Sequence, residues 1–333
     1  MKHSKQEFIF KDKTSLYIVV ILISLLVFAR DCAGLNVNKY IFLVIYVFAF
    51  VAFDCKRIVA LIAFTIPMSY GLPNNYLLVL SCLFLLYKQR DSLNCNLLLF
   101  PLALSLLEVI SVSWYQTIDL ISEIAYMSTL LLLVLVVVEK TADAVLFLQM
   151  YLMGVAVAIG IVICSTASVY GFPETLSGTI RIGGDTDDVL SGRNTGIIHL
   201  RFNANEIGYH SLVAISCALV LYHQSNANRI HLLICSVVCI LGGFLSVSRT
   251  WMMFTACLII MQLLISFGKQ GHLGRGFVLV AILSFFAIGI LNQNPELLNS
   301  ITNRFELANF ATAGGRAPLL KAYNNFFINA PLW

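Results

Sequence analysis

Long apolar runs separated by short polar breaks fill most of this chain. The pattern predicts eleven membrane-spanning helices, over 15–34, 39–53, 57–72, 75–87, 97–113, 118–138, 144–165, 206–222, 230–248, 250–267 and 277–291. Several runs are shorter than the ~20 residues a helix needs to cross the hydrocarbon core. The pair 57–72 and 75–87, split by Gly71-Leu72-Pro73-Asn74-Asn75, reads either as two spans or as a re-entrant hairpin. The first run follows Lys2, Lys5, Lys11 and Lys13, as in a signal peptide. However, Arg30-Asp31-Cys32 stands where a small-residue cleavage site would be, which favours an uncleaved first span.

Composition agrees with a membrane protein. The chain is 59% hydrophobic and 11% charged, against about 25% charged in soluble domains. The expected fold is an all-α, polytopic transmembrane bundle forming a single integral membrane domain over 1–333. The net charge of +4 is spread over many loops, and no basic run suggests a nucleic-acid partner. The nine cysteines lie in or beside apolar runs without a CxxC; Cys235 and Cys239 read as packing residues. The six histidines form no HExxH, and no metal site is expected.

Lys and Arg in short loops set the orientation. A cytoplasmic N-terminus places Lys56, Arg57, Lys88, Arg90, Lys140, Arg229, Lys269 and Arg275 inside. In short outer loops it leaves only Arg30, Lys39 and Arg249. Two long extracytoplasmic segments then follow, 166–205 and 292–333. Long loops of ordinary composition are usually functional. The chain shows no internal repeat of the transporter kind.

Arginines on that outer side are the chief candidates for chemistry. Arg249 lies in Ser246-Val247-Ser248-Arg249-Thr250-Trp251, between two apolar runs. An isolated charge there costs at least ~2.5–3.5 kcal/mol on insertion scales. Arg201 opens the segment Arg201-Phe202-Asn203-Ala204-Asn205-Glu206; Arg181, Arg193, Arg304 and Arg316 share the same side. A planar, permanently charged fork suits carboxylate or phosphate, and several together suit a diphosphate. Such arginines also serve as solvated or lipid-facing groups. Asn205 and Glu206 suit the start of a helix, itself an anion site beside Arg201. His199 and His210 flank that segment, and either a general-base or a packing role is open to them. Glu108 lies inside an apolar run and Asp119 and Glu123 start the next span; a transporter would need a carboxylate on its pathway, and only Glu108 is placed deep enough.

Three features in order resemble the O-antigen polymerase and O-antigen ligase superfamily of membrane glycosyltransferases. The first is Arg-x-Asn-x-Asn opening a span, Arg201 to Glu206. The second is Ser248-Arg249 at the outer edge two spans later. The third is Gly314-Gly315-Arg316, an amphipathic stretch, then Pro331-Leu332-Trp333. The motifs cover about 195–333 and topology alone covers the rest. Some polymerases of this family carry Arg, ten residues, then Gly in each long outer loop; Arg181 to Gly192 and Arg304 to Gly315 fit that spacing. The chain departs from the family in having no histidine between Asn292 and Trp333, where ligases supply a proposed base. It also stops at Trp333, where family members continue through further spans, so a C-terminal part is expected to be missing.

The resemblance implies an enzyme of the bacterial inner membrane, working at its outer face without metal, nucleotide sugar or other cofactor. The expected substrate is a polyprenyl-diphosphate-linked oligosaccharide, transferred onto a lipid-linked repeat unit. A ligase would instead use lipid A core as acceptor. Arg249 and Arg201 are expected nearest the diphosphate. Glu206 and His210 are the candidate bases, and Arg181, Arg304, Arg316, Asn205, Gly192 and Gly315 are the candidate substrate-binding residues. Membrane lipid, a chain-length regulator and a flippase are the expected partners. The other readings are a transporter or flippase, in which Glu108 would matter and Arg249 would not, and a non-catalytic scaffold or sensor.

Overall fold

The computed structural model describes residues 13–90, 143–176, 204–222, 229–246 and 251–258, with 99, 103, 106–107, 128–129, 182–183, 248, 295 and 321. All secondary structure among them is helical. The helices are α1 (Lys13–Asp31), α2 (Lys39–Ala52), α3 (Cys55–Thr65), a 3₁₀ turn (Ile66–Gly71), α4 (Asn74–Gln89), α5 (Ala144–Tyr170), the single turn α6 (Phe172–Leu176), α7 (Ala204–Tyr222) and α8 (Arg229–Leu245). Residues 251–258 are helical as well. The expected spans 97–113, 118–138 and 277–291 lie almost wholly outside the described residues.

This is a membrane protein. Segments Thr14–Asp31, Ala144–Tyr170 and Ala204–Tyr222 are long and apolar enough to cross a bilayer. Large apolar side chains such as Phe48, Ile18, Val51, Ile230 and Leu233 point outward. Such a surface is costly in water and suits lipid. The span Ala144–Tyr170 is 67% buried inside the protein, against 33% for α1 and 44% for α7, so α5 is the central post. It packs against α1, α3, α7 and α8, while α2 and α4 pack on each other and on that core.

The helix starts follow from capping. Asn38 accepts the Tyr40 amide at 3.0 Å and Asp54 accepts that of Arg57 at 3.0 Å. Asp143 accepts those of Val145 and Leu146 at 3.1 and 3.2 Å. Each satisfies an orphan first-turn N–H. Two boundaries differ from expectation. The run 57–72 is no continuous α-helix: α3 ends at Thr65 before Pro67, and a 3₁₀ turn follows. Eleven α-helical residues rise about 16 Å, roughly half the hydrocarbon core. In addition, α5 runs past Thr166 to Tyr170, so the segment expected to begin at 166 starts as helix. Thr166 Oγ1 bonds the Val162 carbonyl at 2.8 Å and Ser168 Oγ that of Ser165 at 2.7 Å. Hydroxyls that bond back on the helix lower hydropathy without ending it. Gly171 ends it, at φ 94°.

Two ends of the bundle can be told apart by contacts. At one, Lys88 Nζ donates to the carbonyl of Phe53, bringing the end of α4 to the junction of α2 and α3. At the other, Ser165 Oγ donates to the Asp31 carbonyl at 3.0 Å, and Cys32 Sγ lies 3.6 Å from the Ile161 carbonyl.

Close approach at α5 depends on glycine. A Cβ added to Gly154 would sit 2.8 Å from the Phe64 carbonyl carbon and closer still to its oxygen, whereas one at Gly160 meets nothing within 4 Å. Between helices in lipid, such small residues allow the backbone contact that holds them together. Both glycines gain equal helix propensity on becoming alanine. Gly154→Ala is therefore expected to be less stable than Gly160→Ala by about 1–3 kcal/mol, the cost of overpacking. Equilibrium unfolding in mixed micelles measures the difference; equal stabilities would show that α3 and α5 do not touch here.

Candidate functional site

α7 begins at Ala204, with Asn205 exposed and Glu206 half-buried in its first turn. α8 runs antiparallel beside it: Ser211 Oγ bonds the Cys239 carbonyl, which places the end of α8 beside the start of α7. After α8 the chain turns at Ser248. Its main-chain carbonyl accepts the Met252 amide at 3.1 Å, and its hydroxyl receives the Trp251 amide at 3.5 Å. Ser248 thus caps the helix containing 251–258. The same hydroxyl reaches Asn205 Oδ1 at 3.4 Å.

Two helix N-termini therefore meet through one serine. Their first-turn N–H groups and dipoles leave partial positive charge at this point. The approach requires Gly208, where an added Cβ would stand 2.6 Å from both Cβ and Oγ of Ser248. A third segment joins them. Buried Ile182 donates its amide to the Leu245 carbonyl at 3.2 Å, tying the chain beside Arg181 to the end of α8.

Of the predicted site residues, the structure places Asn205, Glu206 and His210. Arg181, Arg201, Arg249, Arg304, Arg316, Gly192 and Gly315 lie outside the described residues, as do Arg193, His199, Glu108, Asp119 and Glu123. The described chain fixes what flanks three of these arginines. Ile182 follows Arg181, Ser248 precedes Arg249, and Asn205 lies four residues after Arg201. All three anchors sit where α7 starts and α8 ends.

His210 lies one turn inside from Glu206. Its Nδ1 is 2.9 Å from the Tyr151 hydroxyl of α5. Tyr151 is buried and His210 partly so. Nothing in the sequence analysis pointed to Tyr151; the only signal is a tyrosine following Gln149 within a long apolar run. A hydrogen bond here constrains the orientation of the imidazole ring. Tyr151→Phe and His210→Ala in a double-mutant cycle are expected to couple by about 0.5–1.5 kcal/mol. Unfolding in mixed micelles reads this, and additive effects would mean the bond is not made.

Among the described residues no three His, Cys, Asp or Glu side chains gather in a group able to hold a metal ion. Comparison with protein-family models, curated proteins and solved structures finds no match to this chain.

Proposed function

We propose that this protein is a membrane glycosyltransferase of the O-antigen polymerase kind. It extends a polyprenyl-diphosphate-linked glycan by transfer onto a lipid-linked repeat unit. The observation that supports this best is the meeting of Ile182, Asn205 and Ser248 at one end of the bundle. Ile182 and Ser248 adjoin Arg181 and Arg249, and Asn205 lies four residues after Arg201. Two helix N-termini and three arginines make a strongly anionic ligand the natural occupant, and a diphosphate matches that charge.

In the proposed reaction an acceptor sugar hydroxyl attacks the anomeric carbon of the donor glycan. The bond from that carbon to the diphosphate oxygen breaks, and a new glycosidic bond forms. The electron pair leaves with the polyprenyl diphosphate, whose charge Arg249 and Arg201 stabilise as it develops. The acceptor proton passes to Glu206 or His210. Arg181, Arg304 and Arg316 hold the glycan and the lipid diphosphate. The eleven-span topology with a cytoplasmic N-terminus belongs to the same proposal. It puts this end of the bundle on the extracytoplasmic side of the bacterial inner membrane.

Complementation tests the reading. A strain lacking the gene is expected to carry single-repeat lipopolysaccharide and to regain long chains with the intact gene. Persistence of single repeats would remove the polymerase assignment. Loss of all repeats from lipid A core in the null strain would instead point to ligation.

A further inference from the structure

The opposite end of the bundle holds a second group of cations. Arg57 lies in the first turn of α3 and is only 7% exposed. Its Nε stands 3.8 Å from the Asp54 carboxylate, beyond hydrogen-bond range. Its Nη1 is buried and has no hydrogen-bond partner among the described residues. Asp54 is already engaged, accepting the Arg57 amide at 3.0 Å, and its side chain is 44% exposed. Lys88 closes in from α4, donating to the carbonyl of Phe53 and, at 3.3 Å, to that of Val51. Lys56 is exposed on the same turn. Three cations thus belong to the junction of α2, α3 and α4, where Asp54 is the carboxylate paired with Arg57.

A buried guanidinium without a full set of acceptors is unstable unless something supplies them. The surroundings narrow what that is. The N-terminus of an eleven-residue helix adds partial positive charge. A bidentate guanidinium fork beside an ammonium matches tetrahedral oxyanion geometry. We propose that the first turn of α3 is a phosphate-binding site, with Arg57 and Lys88 as its cationic ligands. The site lies where α2 ends and α3 begins among basic residues, and a span end of this kind suits headgroup phosphates. An anionic phospholipid is one source of the phosphate and free phosphate the other. The site is far from Asn205 and Ser248 along the bundle and stands whatever the transfer chemistry proves to be.

Native mass spectrometry of the full chain in detergent tests this. Phosphatidylglycerol, phosphatidylcholine and inorganic phosphate are each added alone. Wild type is expected to retain phosphatidylglycerol about fivefold better than Arg57→Gln does, the worth of roughly one basic side chain at a membrane surface. Arg57→Lys, which keeps the charge but loses the fork, is expected between them and guards against a folding defect. Retention of phosphatidylglycerol over phosphatidylcholine assigns a lipid headgroup. Phosphate adducts on wild type but not on Arg57→Gln assign free phosphate. Equal retention by wild type and Arg57→Gln in every arm would overturn the site.

Discussion

Arg249→Ala is expected to lower glycan transfer by about 10²–10³-fold, the usual loss on deleting one preorganised group that stabilises developing charge. The expectation rests on what flanks the residue. Ser248, immediately before it, caps one helix and contacts the start of another through Asn205. Trp251, two residues on, is buried against the end of α8. The chain entering and leaving Arg249 is therefore held at the junction of two positive helix ends. Arg249→Lys keeps the charge but loses the bidentate fork, and an intermediate loss follows. The assay is extension of a lipid-linked repeat in membranes carrying equal amounts of each variant. Activity retained within about threefold by Arg249→Ala, a change no larger than a single neutral hydrogen bond gives, would remove Arg249 from the site.

Much of the helical layout was legible in the sequence. Asn38, Asp54 and Asp143 mark helix starts by chemistry that needs no tertiary context. The apolar runs near 39, 144, 206 and 230 become α2, α5, α7 and α8 with ends shifted by a few residues. Two ends were not legible. Thr166 and Ser168 read as loop by polarity, yet their hydroxyls are satisfied within the helix. Pro67 breaks a run that continues through Met68 to Leu72 without a charged residue.

The site was legible only as segments. Arg-x-Asn-x-Asn-Glu and Ser-Arg draw attention as charge beside apolar runs. Their meeting depends on how α7 and α8 rotate and slide, which periodicity does not state. Gly208 sets that approach, and a glycine within a span carries no such label in the sequence. The Tyr151–His210 bond joins residues 59 apart and depends likewise on helix rotation. The burial of Arg57 was hidden for the opposite reason. A basic residue at a span end is expected to be solvated, and only the packing around α3 shows that it is not.

The largest stability effect is expected at the end of α1. Arg30 and Asp31 are neighbours in sequence, a spacing at which helical side chains do not normally face each other. Here they pair because the helix ends at Asp31, with Gly34 at φ 67° turning the chain away. Arg30 Nε lies 2.6 Å from Asp31 Oδ1 and its second nitrogen 3.0 Å from Oδ2, with side chains 6% and 0% exposed. The guanidinium also stacks 5.7 Å from the centre of the Phe42 ring of α2. The Asp31 carbonyl receives Ser165 from α5. One buried pair thus lies where three helices join. Asp31→Asn leaves the arginine charge buried without its counter-charge, and a loss of about 3–5 kcal/mol is expected. Replacing both, as Arg30→Met with Asp31→Leu, removes the charge and its desolvation together. That double variant is expected to lose much less than the sum of the single changes. Unfolding in mixed micelles compares the three. If Asp31→Asn cost less than about 1 kcal/mol, the value of an exposed pair, the end of α1 would be open to water.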